Sequence, residues 1–204
     1  LTLSDFWWDG DCGAGIFRDK VHDAAHDPRL VALSRTLCRQ LQAYLEHLVG
    51  LGEHAQGLAA HIDHVLQGKR PLFFGLTDQL GVEELDFSSW RESMPAIWRE
   101  LPMNWGRHWM RTHAVEHGVP PELVNIQLGH LEIAGYPFSG ASPTEPWYFV
   151  EVLAPKWEAL VQAQGWRVFK GIPATGKLLQ RTLPPLRQWE GVVSGHEREQ
   201  RRMA

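Results

Sequence analysis

RHWMRTHAVEHGVPPELVNIQLGH, residues 107–130, opens on an Arg-His pair and closes on Leu-Gly-His. The spacing predicts a helix from about Arg107 to His117 that ends at Gly118, because glycine readily takes the left-handed conformation a helix C-terminus favours. Pro120 or Pro121 then stands at the start of a second helix, where a missing N–H costs nothing. That helix is short and gives way to Gly129. The run therefore sets a cation at one helix start and presents an imidazole, His130, just beyond a second glycine.

Outward from this run, helix dominates. Residues 6–33 read as extended, with aromatic and β-branched residues broken by DGDCGAG and by a turn at HDAAHDP, which predicts a small sheet or hairpin. Ser34 caps a helix whose Leu37, Leu41, Tyr44, Leu45 and Leu48 recur at helical spacing, and Gly50 and Gly52 are expected to stop it. A second amphipathic helix carries Leu58, Ile62, Val65 and Leu66 and ends near Gly68. A helix is expected around Trp90 to Leu101, with Pro95 either kinking or dividing it. Helices also fit residues 144–164 and 176–182.

Composition sets the outer limits. A chain of 204 residues with 44% hydrophobic content can bury a substantial core, and its 19 Gly and 13 Pro are scattered, so one domain over residues 1–204 is expected. Residues 190–204 are a candidate flexible tail. Two cysteines, Cys12 and Cys38, are too few for a disulfide framework and point to a reducing cytoplasm. No apolar run is long enough to span a bilayer, and the first residues lack a signal-peptide pattern. The net charge of −4 argues against nucleic acid, but it is unevenly spread: −6 over residues 1–90 and +2 over residues 91–204. A basic face on the C-terminal half follows, although charge alone equally describes solvated surface.

The quoted run resembles the second conserved block of the tyrosine recombinases, the phage-integrase family. Arg107-His108, the glycine break and Leu128-Gly129-His130 carry the resemblance, with Arg107 and His130 separated by the family's 23 residues. Upstream, Arg29-Leu30-Val31-Ala32-Leu33 and the preceding hairpin look like the family's lysine-bearing segment, which makes Lys20 the counterpart of its catalytic lysine. The resemblance implies an α+β, mainly α fold: a helical bundle of the recombinase catalytic-domain type with a small antiparallel sheet near the N-terminus. It also implies a site-specific recombinase or integrase of a mobile element, acting on double-stranded DNA without metal or other cofactor and assembling as a tetrameric synapse.

Such enzymes break a phosphodiester by attack of a tyrosine hydroxyl, forming a 3′-phosphotyrosine and freeing a 5′-hydroxyl. Without a metal, rigid cationic donors must meet the charge that grows on the phosphate, and a guanidinium does so with two parallel hydrogen bonds. The resemblance gives that part to Arg107, a phosphate hydrogen bond to His130, and protonation of the leaving oxygen to Lys20. His108 and Arg111 become candidate DNA contacts.

Three departures stand beside the matches. Asn104 occupies the place of the family's second proton-handling group, and an amide cannot exchange a proton near neutral pH. The usual nucleophile position is Ser139; Tyr148, near a predicted helix start, is the preferred nucleophile, with Tyr136 as the alternative and Tyr44 on an apolar helical face. No first arginine precedes the hairpin apart from Arg18 on the hairpin itself. A truncated catalytic domain lacking its N-terminal DNA clamp, or a degenerate relative that binds DNA without cutting it, accounts for that. The eleven histidines raise a metalloenzyme as a further alternative, but His54, His61, Asp63 and His64 form no recognisable ligand spacing.

Overall fold

The computed structural model describes residues 1–8, 12–17, 29–102, 104–129 and 146–175. Among them seven α-helices dominate, and a three-stranded antiparallel sheet lies near the N-terminus, as the sequence pattern predicts. The chain divides into two compact units, each assembled from separated segments. Of the described residues, one unit holds 1–4, 40–102, 104–112 and 168–175; the other holds 5–8, 12–17, 29–39, 113–129 and 146–167.

In the second of these units β1 (Phe6–Trp8), β2 (Gly13–Phe17) and β3 (Arg29–Leu33) pair in that order, with Phe6 opposite Gly15 and Ala14 opposite Ala32. Helices α6 (Pro121–Leu128) and α7 (Pro146–Ala163) pack on β3. The α7 face that is buried reads Phe149, Val150, Leu153, Ala154, Trp157 and Leu160, a helical repeat of apolar positions. Pro155 falls on the exposed face of the same helix, away from that packing.

β3 is an edge strand, and an edge leaves backbone groups unpaired. Gln127 of α6 answers this: its Oε1 accepts the Ala32 N–H and its Nε2 donates to the Ala32 carbonyl, both at 2.9 Å. One side-chain amide thus imitates a neighbouring strand. It can do so only because Gln127 is itself buried beside the strand.

Helix α1 (Arg35–His54) is started by two side chains. Ser34 Oγ accepts the Leu37 N–H at 3.3 Å, the expected cap, and Glu158 of α7 accepts the Thr36 N–H and hydroxyl at 2.8 Å each. Burial pushes the Glu158 pKa up, but hydrogen bonds from the Thr36 N–H, Gln162, the Thr36 hydroxyl and Ser34 outweigh it, and the net shift is downward.

Within the other unit α1 continues from Gln40 and is followed, after Ala55, by α2 (Gln56–Leu66). Leu41, Leu45, Leu48 and Val49 on α1 and Leu58, Ile62, Val65 and Leu66 on α2 are buried, whereas Leu37, expected on the apolar face, is exposed. Gly50 and Gly52 do not stop α1; the helix runs through both. A Cβ on Gly52 would lie 3.3 Å from Ile62 Cδ1, and one on Gly50 would lie 2.7 Å from the Ile172 carbonyl oxygen. These glycines are therefore sites of close approach, one for α2 and one for residues 168–175.

Those residues lie along α1 as an extended strap. Gln40 brackets Phe169, accepting its N–H at 2.8 Å and donating to its carbonyl at 3.1 Å. The Ile172 N–H donates to His47 Nδ1 at 3.0 Å, and Glu53 accepts both the N–H and hydroxyl of Thr175 at 2.8 Å. The same unit holds a hairpin of β4 (Gly75–Leu76) and β5 (Val82–Glu83), then α3 (Phe87–Ser93) and α4 (Ala96–Arg99). Pro95 divides the last two, its extended backbone preceding α4. The helix expected over residues 176–182 and the tail after Trp189 lie outside the described residues.

Candidate functional site

Helix α5 (Trp105–Glu116) carries the cationic residues on which the resemblance turns. Asn104 precedes it and starts it through its backbone: the Asn104 carbonyl accepts the N–H groups of Arg107 at 3.0 Å and His108 at 3.2 Å. Its role in the fold is thus a helix start, which needs no proton exchange. The turn leading into α5 is fixed by Arg91, whose guanidinium donates to the carbonyls of Arg99 at 2.7 Å and Leu101 at 3.0 Å. Nothing in the local sequence signals that use of Arg91.

Arg107 and Arg111 stand one turn apart, so their side chains leave the same face of α5, with His108 beside them. All three are exposed, and among the described residues none is paired with a carboxylate. The first turn holds no acid, and the one glutamate of the helix, Glu116, is engaged 3.1 Å from His113 near the other end. A solvent-facing row of two guanidiniums and an imidazole can hold an anion of extended shape, because each guanidinium offers a planar fork of donors.

α5 ends as the sequence predicts. Gly118 has φ of 75°, and the Val119 N–H reaches back to the Ala114 carbonyl at 2.9 Å, closing the helix with a glycine in the left-handed region. Pro121 opens α6 at its first position, and Gly129, with φ of 71° and ψ of 30°, closes it. The helix, glycine, proline, helix and glycine order of residues 105–129 therefore has the local geometry read from its residues.

The remaining candidates separate cleanly. Lys20, His130 and Tyr136 lie outside the described residues. Tyr148 sits in the first turn of α7 and is 63% exposed. Tyr44, by contrast, is held inside its unit: its hydroxyl donates to the Leu72 carbonyl at 3.0 Å, its ring stacks on Phe73, and burial pushes its pKa up to about 12. Such a tyrosine is a poor nucleophile, since forming the anion costs more than in water. Among the described residues the structure brings together Asn104, Arg107, His108 and Arg111; Tyr148 belongs to the other compact unit.

Among the described residues the histidines of α2 join no ligand set. His61 packs edge-on against Phe74 at 4.7 Å with its Nε2 buried and unpartnered, which makes it less exposed than the sequence suggests. Desolvation, then the nearby charges of Arg70 and His64, lower its pKa. Among the described residues no three His, Cys, Asp or Glu side chains are grouped to hold a metal ion, and no helix is long and apolar enough to cross a membrane.

Comparison of the chain with protein-family models, with curated proteins and with solved structures found no match in any of the three.

Proposed function

We propose that this chain carries the catalytic machinery of a tyrosine-type site-specific DNA recombinase, which cleaves and rejoins duplex DNA through a 3′-phosphotyrosine intermediate. The observation that carries the reading is the exposed row Arg107, His108 and Arg111 on α5, paired with no carboxylate among the described residues, followed by two left-handed glycines of which the second immediately precedes His130. Arg107 meets the non-bridging oxygens, His130 adds a hydrogen bond to them, and Lys20 protonates the departing 5′-oxygen. Tyr148 supplies the attacking hydroxyl, a part its exposure supports and the buried state of Tyr44 leaves open to it. The phosphotyrosine stores the energy of the broken bond for religation, so no nucleotide is consumed. Four protomers on two duplexes, in the cytoplasm, complete the proposal.

One observation favours a second reading, in which the same surface binds DNA without cutting it. Asn104 spends its backbone on starting α5, and its amide cannot relay a proton. A nicked suicide duplex carrying the protein's own attachment site separates the two. The recombinase reading expects a covalent protein–DNA adduct that disappears in Tyr148→Phe and persists in Tyr136→Phe. Binding with no adduct selects the second reading, and loss of the adduct only in Tyr136→Phe moves the nucleophile there.

A further inference from the structure

Residues 168–175 are held along α1 with no buried residue among them, and Phe169 is 79% exposed. What holds them is polar and regularly spaced. α1 reaches the strap at Gln40, His47 and Glu53, and the strap answers with the backbone N–H of every third residue, Phe169, Ile172 and Thr175. The two spacings agree: from Gln40 to Glu53 a helix rises about 20 Å, and extended chain from Phe169 to Thr175 covers about the same length. Two glycines let the partners close. A Cβ on Gly50 would strike the Ile172 and Pro173 carbonyl oxygens, and one on Gly171 would strike the His47 ring.

The three holds differ in kind. Gln40 brackets Phe169 with an amide, which does not titrate. His47 takes the Ile172 N–H on Nδ1 at 3.0 Å, which needs the lone pair of a neutral imidazole. An imidazolium carries a hydrogen on that nitrogen and would meet the Ile172 N–H donor to donor. Glu53 accepts the Thr175 N–H and hydroxyl at 2.8 Å each, and those two bonds, with a smaller contribution from the charge of His54, lower its pKa against the opposing effect of desolvation. We infer that the strap is a pH-sensitive latch, opened at its middle when His47 takes up a proton and fixed at Phe169. Glu53 lets go later: a carboxyl with a lowered pKa keeps its bonds down to the ordinary carboxylate range and loses them only as pH falls through the lowered value. The surrounding charges do not offset the change. Lys170 is the strap's one ionisable side chain, Glu46 and His54 flank His47 and Glu53 on α1, and α2, which meets α1 where Ile62 approaches Gly52, carries His61, Asp63 and His64. Among the described residues none of these is ion-paired with His47 or Glu53. With no buried residue behind it, the middle of the strap depends on the one bond that protonation removes.

The test is amide hydrogen exchange of the full chain followed by NMR, expressed as protection relative to the intrinsic rate at each pH, between about pH 7.5 and about pH 5, a span in which an imidazole gains its charge. Ile172 is expected to lose protection about fivefold on acidification, while Phe169 and Thr175 keep theirs. The midpoint of that loss is expected to coincide with the titration of the His47 ring, read from its Cε1–H resonance. His47→Asn, whose Oδ1 stands in the place of Nδ1 and takes up no proton, is expected to hold Ile172 equally at both ends of the range, and His47→Ala to leave it unprotected throughout. The inference is overturned if wild-type Ile172 is equally protected at both ends, if the midpoint departs from that of the His47 ring, or if His47→Asn loses protection on acidification as wild type does. Simultaneous loss at Phe169, Ile172, Thr175 and the α1 amides would also overturn it, since that is acid unfolding and not release of a latch.

Discussion

At the scale of single residues, the second unit depends on Gln127 more than its type suggests. A glutamine at a helical position near Leu128 reads from sequence as surface, yet this one is buried and satisfies both backbone groups of Ala32 on the open edge of the sheet. Gln127→Leu removes both bonds while filling the same space, so it leaves a buried N–H and carbonyl unpaired at a cost of roughly 2–4 kcal/mol. Gln127→Glu keeps an acceptor for the Ala32 N–H but sets a carboxylate against its carbonyl, and it too is destabilising. Equilibrium urea unfolding reads both, and a Gln127→Leu midpoint equal to wild type would show that the amide is dispensable. Glu158 belongs to the same scale. Its two bonds to Thr36 tie α7 to the start of α1 over a separation of 122 residues, which no local pattern encodes.

Among the elements, what was legible and what was not divides by the range of the interaction. The existence of α1 and α2 follows from apolar repeats, and the ends of α5 and α6 follow from Gly118, Pro121 and Gly129, because the forces there act within one turn. The same argument fails at Gly50 and Gly52. A glycine inside a helix signals a stop only when nothing approaches it, and here the Ile172 carbonyl and Ile62 do. The hairpin of β4 and β5 escaped notice since strands of two residues carry no period, and its turn includes Leu80 at φ of 59°. In the candidate site, the row Arg107, His108 and Arg111 was legible because helical spacing alone aligns it. The separation of Tyr44 from Tyr148 was half legible, through the apolar face that Tyr44 shares. Two glycines make the contrast measurable. Gly57→Ala, where a Cβ meets nothing within 4 Å, is expected to gain up to about 1 kcal/mol from helix propensity. Gly50→Ala gains the same propensity but drives a methyl into the strap, so it is expected to be net destabilising and to raise hydrogen exchange at the Phe169, Ile172 and Thr175 amides. Unchanged exchange there would mean that the strap does not depend on the gap at Gly50.

For the molecule as a whole, the DNA-binding proposal has to account for how a chain of net charge −4 would hold a polyanion. Its first 90 residues carry a balance of −6, which repels DNA, so attraction must come from a few local cations rather than from the overall field. That makes salt dependence informative. Each phosphate neutralised by an arginine contributes about −0.9 to the slope of log K against log salt, so losing Arg107 and Arg111 together should reduce the slope's magnitude by about 2. Mutating two exposed arginines that only soften general repulsion would instead shift affinity with little change of slope, because no counterions are released at a defined contact. Titrating duplex binding across a salt series with wild type and the double alanine variant therefore distinguishes a phosphate-gripping helix from a merely solvated one. Parallel lines would remove the phosphate role of α5, and with it the support on which the recombinase reading stands.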